Sequence, residues 1–330
     1  MKYLVGVTDY VNPPFDVEAA AFPEAEFVNL GSEDEKEFSD DVLDRLDALV
    51  VWHAHIGPYT AERLAQAKIV VRYGVGFDGI NVKSLDDKGI VFCNTPDYGT
   101  EEVADTACAM ILNLQRKVSI YDFACREYKS GWQENVLPPL RRTNKQTLGV
   151  LGVGRIGTAV INRMRGFGYD IIGYDPYVPS GHDKAIGYKR FYKLNEFLTN
   201  CDVLTIHCPL NDETRGLIDD RFVSSMKPGA ALVCTSRGPV IKDLDCLYES
   251  IQSGKLSAVA LDVLPEEPPS FSAPLIKAWK AQEEWLRGRL IINPHSSYFS
   301  DDALYEMRFK AAETTRLCLV DGIIRNQIRA

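Results

Sequence analysis

Three side chains far apart in the chain have the types needed to bind an acid and move a proton: Arg237, Glu267 and His295. His295 follows the apolar run "RLIINP" (289–294). Proline cannot donate a ladder hydrogen bond, so a strand there must stop and leave the imidazole at its tip. Arg237 follows "AALVCTS" (230–236), and "AVALDV" (258–263) carries Asp262 and runs into "LPEEPP" with Glu266 and Glu267. A fixed cation binds a carboxylate and polarises a carbonyl, while an imidazole oriented by a carboxylate transfers a proton. Taken singly, each has a bland reading: Arg237 as a surface cation beside a glycine turn, Glu267 as a solvated loop acid, His295 as a loop residue. The set has meaning only if the fold brings these strand ends together.

The elements that must do so are short apolar, β-branched runs with helical segments between them. The first series is "KYLVGV" (2–7), "EFVNL" (26–30), "ALVVWH" (48–53), "IVVRYG" (69–74) and "IVFCN" (90–94). A second starts at "TLGVLG" (147–152) and continues through "YDIIGYD" (169–175), "DVLTIHC" (202–208), 230–236, 258–263 and 289–294. Buried strands alternating with helices imply an α/β chain with doubly wound parallel sheets. The spacing predicts one helix over 100–128 joining the series, with Thr100 as N-cap. A last helix (300–322), with no strand after it, packs back on the first domain and makes that domain discontinuous. The expected divisions are 1–100, 101–299 and 300–330. After prolines 265, 268, 269 and 274, "PLIKAWKAQEEWLRGR" reads as an amphipathic surface helix.

At the start of the second series, Gly152-Val153-Gly154-Arg155-Ile156-Gly157 sits after a strand and before a helix. Gly152 allows the tight turn, Gly154 lets backbone approach a pyrophosphate, and Gly157 permits close helix–strand packing. Amides at Arg155 and Ile156, with the positive end of the helix, suit phosphate. Asp175, 18 residues past Gly157 at the end of the next strand, can accept both adenosine ribose hydroxyls and would repel a 2′-phosphate. The expected cofactor is therefore NAD rather than NADP. In a doubly wound sheet ligands lie outside the carboxyl ends of the strands, where the Arg, Glu and His candidates also fall.

Composition narrows the rest. Of 330 residues 45% are hydrophobic and 25% charged, enough for two cored domains, and the net charge of −9 argues against a nucleic-acid surface. The basic run "LRRTNK" (140–145) reads as a solvated loop. No apolar run approaches the roughly 18 residues of a membrane span, and Asp9 breaks the N-terminal run too early for a signal peptide. Eight scattered cysteines show no metal-ligand spacing and read as reduced thiols in a cytoplasmic protein without a metal.

Several long motifs in one order carry a resemblance: "IVVRYGVGFDGIN", "TLGVLGVGRIG", "GYDPY", "LTIHCPLNDETRGLI", "MKPGAALVCTSRGPVIKDLDCL", "ALDVLPEEP" and "NPHSS". The chain resembles the D-isomer-specific 2-hydroxyacid dehydrogenases, closest in flavour to the C-terminal binding protein branch, whose members are NAD-binding transcriptional corepressors. The resemblance implies two Rossmann-like domains with the active site in the interdomain cleft. It implies that Arg237 binds substrate, Glu267 pairs with the catalytic histidine, and His295 is that histidine, also lining the cofactor. By the same resemblance, Asp262 holds the nicotinamide carboxamide. Thr235, His207, Cys208 and Pro209 line the cofactor, with His207 equally readable as a buried structural residue, and Thr106 is a further cofactor candidate. Backbone amides near Val75 and Gly76 would hold the substrate carboxylate. Arg72 would point at it, and Tyr298 stands where the corepressor branch has a substrate-facing tryptophan. Two features depart from the pattern: Tyr298 itself, and a longer segment between Glu267 and His295. His53 and His55 in "WHAHIGPY" either face the cleft or are ordinary loop polarity. Trp52, Tyr73 and Tyr298 hint at a bulky or apolar substituent. The expected activity is interconversion of a small 2-keto acid and its D-2-hydroxy acid, by a homodimer assembled through helix 100–128. The rival reading is an NAD(H)-binding protein-interaction scaffold.

Overall fold

The computed structural model describes residues 2–127, 132 and 140–330. It divides into two compact units, Met1–Gly99 with Phe299–Ala330, and Thr100–Tyr298.

The first unit holds strands β1 (Tyr3–Val7), β2 (Ala25–Asn29), β3 (Ala48–Val51), β4 (Ile69–Arg72) and β5 (Val91–Asn94). The second holds β6 (Thr147–Leu151), β7 (Asp170–Tyr174), β8 (Lys189–Phe191), β9 (Val203–Ile206), β10 (Ala230–Cys234), β11 (Leu256–Leu261) and β12 (Leu290–Ile292). The strand β13 (Gln327–Ile328) returns to the first unit after the long helix Asp301–Asp321. The sheet orders are β13-β5-β4-β3-β1-β2 and β12-β11-β10-β9-β6-β7-β8. All pairings are parallel except β13 with β5. Both are doubly wound sheets, and β3, β9 and β10 are buried at every residue, which explains why they read as continuous apolar runs.

Register decides what emerges at each carboxyl edge. In the second unit Leu151 lies opposite Tyr174 on one side and Ile206 on the other, so Gly152, Asp175 and His207 leave the sheet side by side. Cys234 lies opposite Leu261, and Leu261 opposite Ile292, so the loops bearing Arg237, Asp262 and His295 also leave together. The chain reverses its winding direction between β6 and β9, the place where such sheets open a ligand crevice. In the first unit Val51 lies opposite Arg72, and Arg72 opposite Asn94.

Three expectations about elements need correction. The last helix is followed by a strand: Gln327 and Ile328 pair with Cys93 and Phe92 and cover the open edge of β5. Two residues are too few to show alternation. Helix 100–128 is two helices, Thr100–Arg116 and Val118–Glu127, broken at Lys117, whose φ is 57°. The Asn113 side chain accepts from the Ser119 amide and hydroxyl and so starts the second helix, while Lys117 Nζ donates to the Gly288 carbonyl at 2.6 Å. The segment after Pro274 is no surface helix along its length. A helix spans only Pro274–Lys280, and Leu275, Ile276, Ala278 and Leu286 are buried in the core of the second unit.

Candidate active site

The glycine loop shows what each position tolerates. A methyl on Gly152 would lie 2.6 Å from the Cys208 amide nitrogen, and one on Gly157 would lie 2.1 Å from the Gly152 carbonyl oxygen. Both glycines are therefore dictated by the protein's own packing. A methyl on Gly154 would meet nothing within 4 Å. That open space fronts the ten-residue helix Arg155–Met164, whose N-cap, Gly154, has no side chain to satisfy the first-turn amides. An anion fits there: the donors point outward and the approach is unobstructed.

Asp175 sits at the end of β7 and is locked in place. Its Oδ2 accepts from the Val153 amide at 2.8 Å and its Oδ1 from the Tyr177 amide at 2.9 Å. Arg190 holds the same loop by donating to the carbonyls of Asp175 and Val178. His207 Nε2 lies 2.9 Å from the Thr205 hydroxyl and Nδ1 3.3 Å from the Thr235 hydroxyl. Burial pushes its pKa down to about 3, so it is a neutral imidazole fixed between two threonines. Cys208 is buried and its thiol is pushed up to about 12 by burial, whereas Pro209 is exposed. Arg155 is exposed on the first helical turn and Ile156 is half-buried.

On the other strand ends, His295 Nδ1 lies 2.7 Å from Glu267 Oε2. The second Glu267 oxygen accepts from the Leu264 amide at 2.8 Å, so the carboxylate is held at both ends. Burial would raise the Glu267 carboxyl. The His295 hydrogen bond and charge, the Leu264 amide and the Arg237 charge outweigh burial and hold it below the usual range. Gly238 makes the approach of Arg237 to this loop possible: a methyl there would sit 1.7 Å from the Leu264 carbonyl oxygen. Arg237 donates through Nη1 to the Ser236 carbonyl. The Tyr298 ring stands edge-on to the His295 ring, centroids 6.5 Å apart.

His295 has φ 52°, a backbone conformation that costs a residue with a side chain about 1–3 kcal/mol. Asp262, 2% exposed, holds it there. The Asp262 carbonyl accepts from the His295 amide at 2.8 Å, and its carboxylate accepts from the amides of Ser296 and Ser297. Sequence reasoning assigned Asp262 only to the cofactor. Its grip on the histidine loop spans 33 residues of sequence, and no local pattern announces it.

The first-unit candidates Arg72, Val75 and Gly76 lie at the end of β4 and on the loop after it. The carbonyls of Arg72 and Gly74 accept from the Thr95 hydroxyl and amide, and the Val75 carbonyl accepts from the Asn94 side chain at 2.7 Å. In a trans peptide the N–H points opposite to the C=O, so these bonds turn the amides of Val75 and Gly76 away from β5. Neither amide donates to another described residue. Two successive outward amides are a small anion cradle. The Arg72 guanidinium folds against Gly74, whose φ is 116°. His53 and His55 are both exposed, and His53 Nδ1 lies 3.3 Å from the buried Asp9 carboxylate. Asp9 also caps the turn after β3 by accepting from the amides of His53 and Ala54.

Thr106 is half-buried and lines a groove of about 1090 Å³ in the second unit with Met110, Asn113, Arg116, Ile291 and Asn293. None of Arg237, Glu267, His295 or the glycine loop lines it. All eight cysteines are unpaired. Among the described residues no helix is long and apolar enough to cross a membrane.

A seven-stranded sheet with a glycine turn and an acid at the end of the next strand, both at its crossover point, defines a Rossmann-type dinucleotide-binding protein. The chain belongs to the D-isomer specific 2-hydroxyacid dehydrogenase family: residues 108–297 match that family's NAD binding domain, and NAD is the cofactor class. It is 32% identical over 309 residues to C-terminal-binding protein 1 of Caenorhabditis elegans, covering 91% of this chain and 40% of that protein. It is 37% identical over 209 residues to D-3-phosphoglycerate dehydrogenase of Methanocaldococcus jannaschii, covering 63% of this chain and 39% of that one. The chain thus spans about two fifths of the length of these relatives. Among solved structures, D-lactate dehydrogenase from Aquifex aeolicus, complexed with NAD and lactic acid, is similar over 99% of both chains, at 26% identity and a TM-score of 0.81.

Proposed function

We propose that this chain is an NAD-dependent D-2-hydroxyacid dehydrogenase, reducing a small 2-keto acid or oxidising the matching D-2-hydroxy acid. The observation that carries the reading is the 2.7 Å contact of His295 with Glu267, whose other oxygen is tied to the Leu264 amide. A bound nicotinamide would supply or accept the hydride. The residues of the chain do the rest. Glu267 orients the imidazole through Nδ1, which leaves Nε2 to give a proton to the substrate oxygen or take it back. Arg237, on the neighbouring strand end, polarises the carbonyl. Arg72 and the outward amides of Val75 and Gly76 bind the carboxylate. Tyr298, edge-on to His295, lines the substrate side chain. Gly154 and the first turn after it hold pyrophosphate, and Asp175 accepts the ribose hydroxyls, which favours NAD over NADP. His207, Cys208, Pro209, Thr235, Thr106 and Asp262 complete the cofactor's surroundings. The experiment is to follow NADH absorbance with glyoxylate, hydroxypyruvate, pyruvate, phenylpyruvate and longer 2-keto acids. Turnover of at least one supports the reading, and turnover of none refutes it.

The likeness to C-terminal-binding protein 1 over 91% of the chain favours a second reading, an NAD(H)-responsive scaffold for partner proteins. The same assay separates the two, since tight NADH binding without turnover selects the scaffold. For either reading we propose a homodimer in which helix Thr100–Arg116 takes part. Sedimentation as a monomer at micromolar concentration would count against it.

A further inference from the structure

We propose that a buried network of Glu18, Arg308 and Tyr73 sets the substrate-carboxylate loop Arg72–Gly76, with Tyr73 a positioning residue acting from behind it. The inference rests on the reading of that loop given above. Glu18, on helix Asp16–Ala21, is fully buried. Its Oε1 accepts from the Tyr73 hydroxyl at 3.0 Å and from Arg308 Nε at 2.8 Å, and its Oε2 accepts from Arg308 Nη2 at 2.6 Å. Arg308 belongs to helix Asp301–Asp321, so three elements distant in sequence meet at one carboxylate. Tyr73, also fully buried, is the residue between Arg72 and Gly74.

A buried ion pair is a poor way to gain stability, because well-packed apolar residues of the same volume serve as well or better. What it provides is direction. An apolar ring can slide or tilt within its packing, whereas a phenol hydrogen-bonded to a carboxylate that is itself gripped by a guanidinium has one place to sit. The ring also packs on Trp52 at 5.6 Å between centroids. Burial, and then the neighbouring Glu18 charge, holds the phenol well above its usual pKa, so it stays a donor. The loop is thus fastened on two sides. Asn94 and Thr95 take its carbonyls from the β5 side, and Glu18 takes Tyr73 at its root. The direction of the Val75 and Gly76 amides follows from both.

The test is Tyr73→Phe, which deletes one hydroxyl and leaves Glu18 and Arg308 paired, with Arg308→Lys as a second variant that keeps the charge and loses the two-pronged grip. The readouts are KM for the best 2-keto acid, kcat, NADH affinity, and calorimetric Kd of oxamate for the NADH complex. Oxamate carries the carboxylate and carbonyl of a 2-keto acid but resists reduction. Loss of one anchoring hydrogen bond should raise KM and oxamate Kd about 3- to 10-fold, with kcat and NADH affinity nearly unchanged. Arg308→Lys should move the same two quantities in the same direction. A lower melting temperature with unchanged KM and oxamate Kd in both variants would make the network merely structural and overturn the proposal. Failure of the functional reading shows separately, in the unmodified protein. If that protein binds oxamate without turnover, Kd alone reads the proposal. If it neither reduces a keto acid nor binds oxamate, the loop loses its ligand and the proposal falls with it.

Discussion

The carboxyl edges of the two sheets are both anchored by carboxylates and amides, but only the second adds glycines packed directly against backbone. In the second unit close packing shapes the glycine turns, since methyls on Gly152, Gly157 and Gly238 would all strike backbone atoms, while Asp175, Asp262 and Glu267 anchor the loops beside them. In the first unit polar side chains do the anchoring: Asp9 caps the turn after β3, Asn94 and Thr95 hold the loop after β4, and Glu18 fixes Tyr73. Glycine packing lets two backbones and a phosphate come close without a side chain between them. Polar fastening aims backbone amides while leaving the loop open. The difference fits the roles proposed above, a dinucleotide at the second unit's sheet edge and a small carboxylate at the first unit's.

The sharpest way to break this comparison is at the second unit's chemistry. His295→Ala should lower turnover by about 10²–10⁴ while NADH affinity holds, read by steady-state kinetics and NADH fluorescence. Next is a contrast inside the glycine loop. Gly154→Ala should leave the melting temperature unchanged and weaken NADH binding by about ten-fold or more, since its methyl fills space left for phosphate. Gly157→Ala should instead destabilise the fold by about 1–3 kcal/mol, as overpacking does. Equal melting temperatures for the two variants would remove the distinction. Asp175→Ala should shift the NADH-to-NADPH affinity ratio toward NADPH by roughly ten-fold, about 1.4 kcal/mol. An unchanged ratio would detach Asp175 from the ribose.

The smallest effect concerns pH. The folded Glu267 carboxyl lies below its usual value, so the unfolded chain binds the proton more readily. Its contribution to stability is therefore complete above the ordinary glutamate pKa and is lost as pH falls through the lower folded value. Urea unfolding should show Glu267→Gln less stable than the unmodified protein at pH 7, with the gap closing toward pH 3. A gap that widens on acidification would contradict the assigned direction.

The sequence carried this contrast unevenly. The glycine loop, Asp175 and the strand ends were legible because their spacing lies within one strand–helix–strand stretch, where steric rules act locally. The Glu267 and His295 assignment needed long motifs in order, since 28 residues separate the pair. What stayed hidden was long-range. The Arg308–Glu18 pair spans 290 residues. Strand β13 has no periodicity to find, and Lys117 at the helix break donates to the Gly288 carbonyl, 171 residues away. The segment after Pro274 was misread because its alternation of apolar and charged residues suits a surface helix, whereas the core takes Leu275, Ile276 and Leu286 in two short pieces.

Side by side, NADH consumption with the 2-keto acid panel and NADH affinity should be measured on the unmodified protein and on His295→Ala. The account predicts turnover of at least one keto acid that the substitution nearly abolishes, with both proteins binding NADH alike. Equal turnover in the two proteins, or none in either while NADH binds tightly, would contradict it.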